Sequence, residues 1–411
     1  MNRRYSPSFT SIGLSPIVAI SEQIRSVAPV FEEGGDRFAF LQRGELADPT
    51  PDFVVEATKR ALDAGLTRYP KAGGEPWFKE AVIAHMAAEH GLTDLAPEHV
   101  ICTYGGQEGL QLVFGLLGGG TVLTFGPAWS CVLENIFPYT GYEVDTLDLV
   151  EDGGELAVDF DALDAKLARA DVLYLNTPQN PSGKVFSRQE LERIDELCRR
   201  HGVWIVSDEA YKDFVFDGGE HVSPLSLGGE HVIGVYTCSK SFAATGFRIG
   251  FTICRDRDLI QKLTLGEYTQ TAGVVPFIQR AFADVLTLEA PRRAWQQALR
   301  SSLERRRDLI CERLAPLYDG QLYRPEGAFY LFLNLAGLVP DPPAGQEASD
   351  FILQRFLGQG IAVVPGSAFG DERFGHHVRL SFSGVSDEVL EAALERMVSG
   401  VFADGQEQAA G

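Results

Sequence analysis

The spacing of apolar and polar positions divides the chain into three stretches. Residues 50 to 65 read as a helix, with Thr50 placed to cap it, Pro51 suited to its first turn and Gly65 able to end it. A second helical pattern runs from Glu75 to Gly91. Short β-rich runs then alternate with helical stretches: VICTY near 99, TVLTF near 121, YEVDTL near 142, VLYLN near 172, VWIVS near 203, VIGVYT near 232 and IGFTIC near 249. Several are apolar throughout, as strands covered on both faces should be. Between VLYLN and VWIVS, Ser187-x-x-Glu190 is the capping-box pattern of a helix start. Strands alternating with helices predict βαβ units and a mostly parallel sheet.

From about residue 290 the rhythm differs. A long Arg-rich helical segment reaches about Leu317, followed by YLFLNL, a helix near 348–357, IAVVPG, HVRLSF and a last helix near 386–398. This mixture predicts a smaller α+β domain. The expected division is a large domain over 55–290 and a small one combining 1–54 with 291–411, ending in the polar tail DGQEQAAG, which should fray.

Composition narrows the class. The 411 residues suggest about two to three domains, or one large domain with an appendage, and 45% apolar with 23% charged positions is ordinary for a globular protein. Lys and Arg number 36 against 57 Asp and Glu, a net charge of −21, which argues against nucleic acid or an anionic membrane as partner. No run of 18 apolar residues predicts a membrane span, and no apolar segment follows MNRRYSPSFTS as in a signal peptide. The six cysteines are scattered, with neither CxxC pairs nor zinc-ligand spacing, so reduced thiols and no metal centre are expected. These features together predict a cytoplasmic enzyme.

In open α/β sheets ligands bind beyond the carboxyl ends of the strands, so the residues that follow each strand carry the candidate chemistry. Gly105-Gly106-Gln107 follows VICTY and opens a helix, where free backbone amides can hold a phosphate; a plain turn would read the same way. Asn176 ends VLYLN and begins the stiff loop Asn176-Thr-Pro-Gln-Asn-Pro-Ser-Gly183. Asp208 ends VWIVS, ahead of Tyr211; a buried acid there needs a partner, and either a cationic ring nitrogen or a helix N-terminus would serve. Ser239-Lys240 follows VIGVYT, and desolvation at such a site makes a lysine a usable amine nucleophile. Arg248, eight residues on, can fork a phosphate. Taken together, an imine-forming lysine, a ring-nitrogen acid and a phosphate clamp describe pyridoxal phosphate.

NTPQNPSGKVFS, SDEAYKDF and SKSFAATGFRIGF resemble the motifs of class I/II aminotransferases, fold type I pyridoxal-phosphate enzymes like aspartate aminotransferase, with the likeness running from about Gly44 to Arg379. The resemblance implies an α/β fold in which a mostly parallel, seven-stranded-type sheet is sandwiched by helices, beside a smaller α+β domain. It implies that Lys240 carries the internal aldimine and shuttles protons, that Asp208 pairs with the pyridine nitrogen, and that Tyr211 and Asn176 hydrogen-bond the ring's phenolic oxygen. Trp129, in FGPAWSC, would stack on the ring. Gly105, Gly106, Gln107, Thr237, Ser239 and Arg248 would bind the phosphate. Tyr69, in LTRYPKAGG, would reach the phosphate of a neighbouring subunit, making a homodimer with shared sites. Arg379, in HVRLSF, would clamp the substrate α-carboxylate, with Gly44 and Asn176 beside it.

The implied reaction moves an amino group from an L-amino acid to a 2-oxo acid. One stretch departs from the family: where members carry a segment like GEPDFDTPEHI, this chain has GELADPTPDF at 44–53, which keeps Gly44 and Glu45 but loses the Pro-Asp-Phe that follows. That departure leaves room for a second expectation with the same cofactor: elimination, γ-replacement, cyclisation or oxidation in specialised biosynthesis. A regulator built on this domain is disfavoured, because the chain has no spare segment for a basic DNA-binding module.

Overall fold

The computed structural model describes residues 5–14, 16–32 and 35–402. The expected fraying of DGQEQAAG falls outside these residues. Seven strands form the central sheet: β1 (Val100–Thr103), β2 (Gly120–Gly126), β3 (Tyr142–Asp148), β4 (Val172–Asn176), β5 (Trp204–Asp208), β6 (Val232–Thr237) and β7 (Gly250–Cys254). Their order is β1-β7-β6-β5-β4-β2-β3. All neighbours are parallel except β7, which runs antiparallel to both β1 and β6.

This order decides where chemistry gathers. Asn176 and Asp208 stand in register at the carboxyl ends of β4 and β5, and Asp208 stands opposite Val235 on β6, two residues before Thr237. Because β7 is reversed, its first residue Gly250 lies level with Thr237 and Thr103. Arg248, just before β7, therefore reaches the same edge as the residues that follow β1, β5 and β6.

Alternate strand residues face opposite ways. Leu173, Leu175, Ile205 and Tyr236 enter one core, with Phe78, Leu191 and Phe282 from the covering helices. Val172, Tyr174, Val206 and Val235 enter another, with Leu110, Phe114 and Leu263. Both faces are thus covered, which accounts for the near-continuous apolar strands. A third core joins Ile20, Ile24 and Leu41 to Leu299, Leu303, Phe329, Phe356 and Leu394. Its sheet is β8 (Tyr330–Asn334), β9 (Val364–Pro365) and β10 (His377–Ser381), all antiparallel. Tyr211 and Phe214, which follow β5, also enter this core, so the end of β5 is packed against β8.

The helix expected from residue 50 spans Asp52–Asp63, and Pro51, not Thr50, takes the N-cap position. The Thr50 hydroxyl donates instead to the carbonyl of Ala243 at 2.6 Å, tying the segment before this helix to the loop after Lys240. The second helix runs Pro76–His90 and ends on left-handed Gly91. The Ser187–Glu190 capping box forms with both hydrogen bonds in place. Among the described residues no helix is long and apolar enough to cross a membrane.

Candidate active site

At the carboxyl edge of the sheet lies a cavity of about 280 Å³. Lys240 enters it from the helical turn Cys238–Ser241, whose N-cap Thr237 accepts the Ser239 amide at 3.2 Å. The Lys240 ammonium donates to the carbonyl of Gly44 at 2.5 Å. Desolvation pushes its pKa down to about 8, against the opposing pull of Glu45. Roughly a tenth of this amine is therefore unprotonated at pH 7, far more than for an ordinary lysine, as a nucleophile or base requires.

Asp208 is buried at the end of β5. Its carboxylate accepts the Tyr174 hydroxyl at 2.8 Å and the Ala210 amide at 3.2 Å. Burial, the largest cause, pushes it up to about 6. The adjacent Glu209 is equally buried but fully engaged: it accepts Tyr236 and Ser223 hydroxyls at 2.8 Å each and meets His221 Nε2 at 2.7 Å. Of the two neighbouring acids, only Asp208 lines the cavity.

Arg379, on β10, is 1% exposed. It donates to the Gln42 carbonyl at 2.7 Å and to Asn180 Oδ1 at 3.1 Å, while its Nε–H has no partner among the described residues. Asn180 in turn donates its amide to Asn176 Oδ1 at 2.7 Å, and Asn176 Nδ2 donates to the Asp208 carbonyl at 2.9 Å. The proline-rich loop thus links the arginine to the acid. Tyr211 meets the Tyr330 hydroxyl at 2.8 Å, with both rings buried.

At the other end of the cavity Arg248 adopts a left-handed backbone, φ 53°, held by its own donation to the carbonyls of Thr245 and Tyr104 at 3.0 and 3.3 Å. Gly105, also left-handed at φ 76°, opens the Gly105–Leu117 helix; a Cβ there would come within 3.1 Å of the Arg248 guanidinium. Gly106, Gln107, Thr237 and Ser239 line the wall beside Arg248, and half-buried Trp129 lines another. A guanidinium, a helix start and two hydroxyls make a site for an oxyanion such as a phosphate. Lys240, Asp208, Arg248 and Arg379 form no ion pair among the described residues, although all four line one cavity. Asp208 and Arg379 are buried and Lys240 is desolvated, whereas Arg248 is exposed at the rim; buried charges left without such partners are costly, so their ligand should carry complementary ones.

Two expected site residues stand apart. Gly105 touches Arg248 but does not line the cavity, and Tyr69 is 91% exposed, outside its own chain's cavity. Conversely, Asn180, Tyr330, Glu45 and Thr245 line it without having been singled out. Glu45 accepts the Thr245 hydroxyl at 2.8 Å. The signal for Asn180 lay in the NPSG half of the proline loop; Tyr330 sits in an unremarkable strand.

A family model described as aminotransferase class I and II matches residues 40–397. Aspartate/prephenate aminotransferase of Thermus thermophilus is 34% identical over 87% of this chain and 89% of its own. Aspartate aminotransferase of Geobacillus stearothermophilus is 30% identical over 94% and 96%. The solved structure of Thermus thermophilus aspartate aminotransferase with maleate superposes with a TM-score of 0.86 at 32% identity, covering 97% of this chain and 99% of that one.

Proposed function

The chain belongs to the class I and II aminotransferase family, and from that membership we propose that its cavity holds pyridoxal phosphate on Lys240 and serves an L-amino acid and a 2-oxo acid in turn. Enzymes of this family depend on that cofactor and act on small amino and oxo acids, and transamination is this chain's reaction. The named relatives are all aminotransferases, so the elimination, replacement, cyclisation or oxidation alternative finds no support among them.

The residues present fit the cofactor. Asp208 is a buried acid with no cationic partner among the described residues, as a protonated ring nitrogen requires. The Arg248 end, with Gly106, Gln107, Thr237 and Ser239, suits the phosphate. Trp129 would stack on the ring, and Tyr211 with Asn176 would hold its phenolic oxygen. When bound, the cofactor supplies an electrophilic carbon for the amine and an electron-withdrawing ring. Asp208 keeps a proton on the ring nitrogen and so maintains that withdrawal. The Lys240 amine, lowered by desolvation, takes the substrate Cα proton as general base and returns a proton as acid. Arg379, beside Gly44 and Asn176, clamps the α-carboxylate and aims Cα at Lys240.

We place Tyr69 on the phosphate of a second copy. Its near-complete exposure, together with exposed Leu265 and Tyr268, supports a homodimer with shared sites. The separate cores favour a large domain over 55–290 and a small one from 1–54 with 291–411, although Val54 enters the large core and Tyr211 and Phe214 the small one. Six free thiols suit a reducing cytoplasm.

The observation that carries this reading is that Lys240, Asp208 and Arg379, drawn from separate segments, share one cavity without ion partners among the described residues. Borohydride reduction of the protein saturated with pyridoxal phosphate, followed by peptide mass mapping, tests it. The cofactor mass should appear on the peptide containing Lys240; a label elsewhere, or none, overturns the assignment.

A further inference from the structure

Tyr330 occupies the junction between the two halves of this site. Its hydroxyl lies 2.8 Å from that of Tyr211, and its ring lies under the Arg379 guanidinium, 4.5 Å from ring centroid to Cζ. Phe369 lies 5.2 Å from the same Cζ. The planar cation is thus held by two rings and by its donations to Gln42 and Asn180, with Nε–H unpartnered. The fit around Tyr330 is close: a Cβ on residue 44 would stand 2.5 Å from its hydroxyl oxygen, so the carbonyl that receives Lys240 belongs to the one residue type that leaves room for Tyr330.

We propose that Tyr330 is a positioning residue with two separable roles: its hydroxyl orients the Tyr211 proton towards the cofactor, and its ring fixes the plane of Arg379 for the substrate carboxylate. The inference rests on the cofactor reading above. A tyrosine hydroxyl has one proton to give. If Tyr211 gives its proton to the phenolic oxygen, it must accept at its oxygen, and Tyr330 is the donor placed to supply that bond. Accepting a hydrogen bond makes Tyr211 the better donor. Without it the phenolic oxygen is less stabilised as an anion, and the Lys240-bound chromophore holds its proton to higher pH. The charged and titratable groups facing this pair are Asp208, Tyr174, Arg379 and Glu45, with Arg248 also near Lys240; all are retained in both variants, and Tyr330→Phe also keeps the ring against Arg379.

The experiment uses the cofactor-loaded enzyme with two variants. Tyr330→Phe keeps the ring and should move the pH midpoint of the visible band upward by a few tenths to about one unit, the reach of one hydrogen bond. KM for the amino acid should stay within about twofold, because the cation–ring contact survives. Tyr330→Leu should show the same midpoint shift and also raise KM roughly two- to thirtyfold, with a smaller effect on kcat. An unmoved midpoint in Tyr330→Phe overturns the hydroxyl role. A KM in Tyr330→Leu no higher than in Tyr330→Phe overturns the ring role. If the unsubstituted protein shows no visible band, the cofactor reading itself has failed, which is a distinct result.

Discussion

Replacing Arg379 by methionine should separate substrate binding from stability. The guanidinium is buried, has no acidic partner among the described residues, and makes two hydrogen bonds, to the Gln42 carbonyl and Asn180 Oδ1. A forked carboxylate contact is two charge-assisted hydrogen bonds at about 1.5–3 kcal/mol each. Losing roughly 3–6 kcal/mol from the transition state lowers kcat/KM by about 10²–10⁴. The stability side nearly cancels. Removing a desolvated charge recovers on the order of several kcal/mol. Against this stand two orphaned acceptors at about 1–3 kcal/mol each and the ring contacts at about 0.5–2 kcal/mol each. Steady-state kinetics with whichever amino acid bleaches the cofactor band of the parent protein, beside a thermal melt, reads both quantities. The expected result is that large fall in kcat/KM with a melting midpoint within about 4 °C of the parent, the scale of about 1–2 kcal/mol. Activity within tenfold of the parent would refute the carboxylate clamp. A midpoint lower by much more than that would show that the cation is structural.

Other expectations follow from the same site. Asp208 sits at about 6 in the folded protein against an ordinary 3.8, so the folded state binds more protons between those values and its stability falls as pH rises through them. Above pH 6 the full penalty, about 3 kcal/mol, is present, and cofactor-free Asp208→Asn should melt higher than the cofactor-free parent there, with the advantage fading as pH drops towards 4. The same substitution should lower transamination at least a hundredfold, since a neutral amide cannot hold a ring cation. The Lys240 amine at about 8 predicts that uptake of pyridoxal phosphate by cofactor-free protein speeds up with pH and levels off above about 8; a rate still climbing towards 10.5 would contradict the desolvated lysine. Mixing inactive Lys240→Ala and Tyr69→Ala proteins should restore activity through hybrid dimers with one intact site, whereas no recovery would place Tyr69 in its own chain's function.

Much of this site was legible because its residues follow buried strands, where polar side chains are expensive and therefore informative. Asn176 and Asp208 end apolar runs, and their register across β4 and β5 follows from parallel pairing alone. The reversal of β7, which brings Arg248 to the same edge, was not legible, because IGFTIC has the same composition read in either direction. Tyr330 escaped notice for a similar reason. In YLFLNL it is one more apolar strand residue, and its partner Tyr211 is 119 positions away. Thr50 was misassigned because capping chemistry is local, and nothing in the local sequence shows that the Ala243 carbonyl, 193 positions on, competes for its hydroxyl. Tyr69 illustrates the converse: the motif singled it out, while a single chain leaves it in solvent.

The most direct test of the account is the visible absorption spectrum of the purified protein with pyridoxal phosphate, recorded before and after adding single amino acids without any oxo acid. Aspartate, for which the relatives are named, is the first to add. The expected result is a visible band that borohydride fixes covalently to the parent protein but not to Lys240→Ala, that bleaches with a suitable amino acid as pyridoxamine phosphate and a 2-oxo acid appear, and that returns when an oxo acid is supplied. Covalent fixation undiminished in Lys240→Ala, or amino acid consumption with no pyridoxamine phosphate formed, would contradict it.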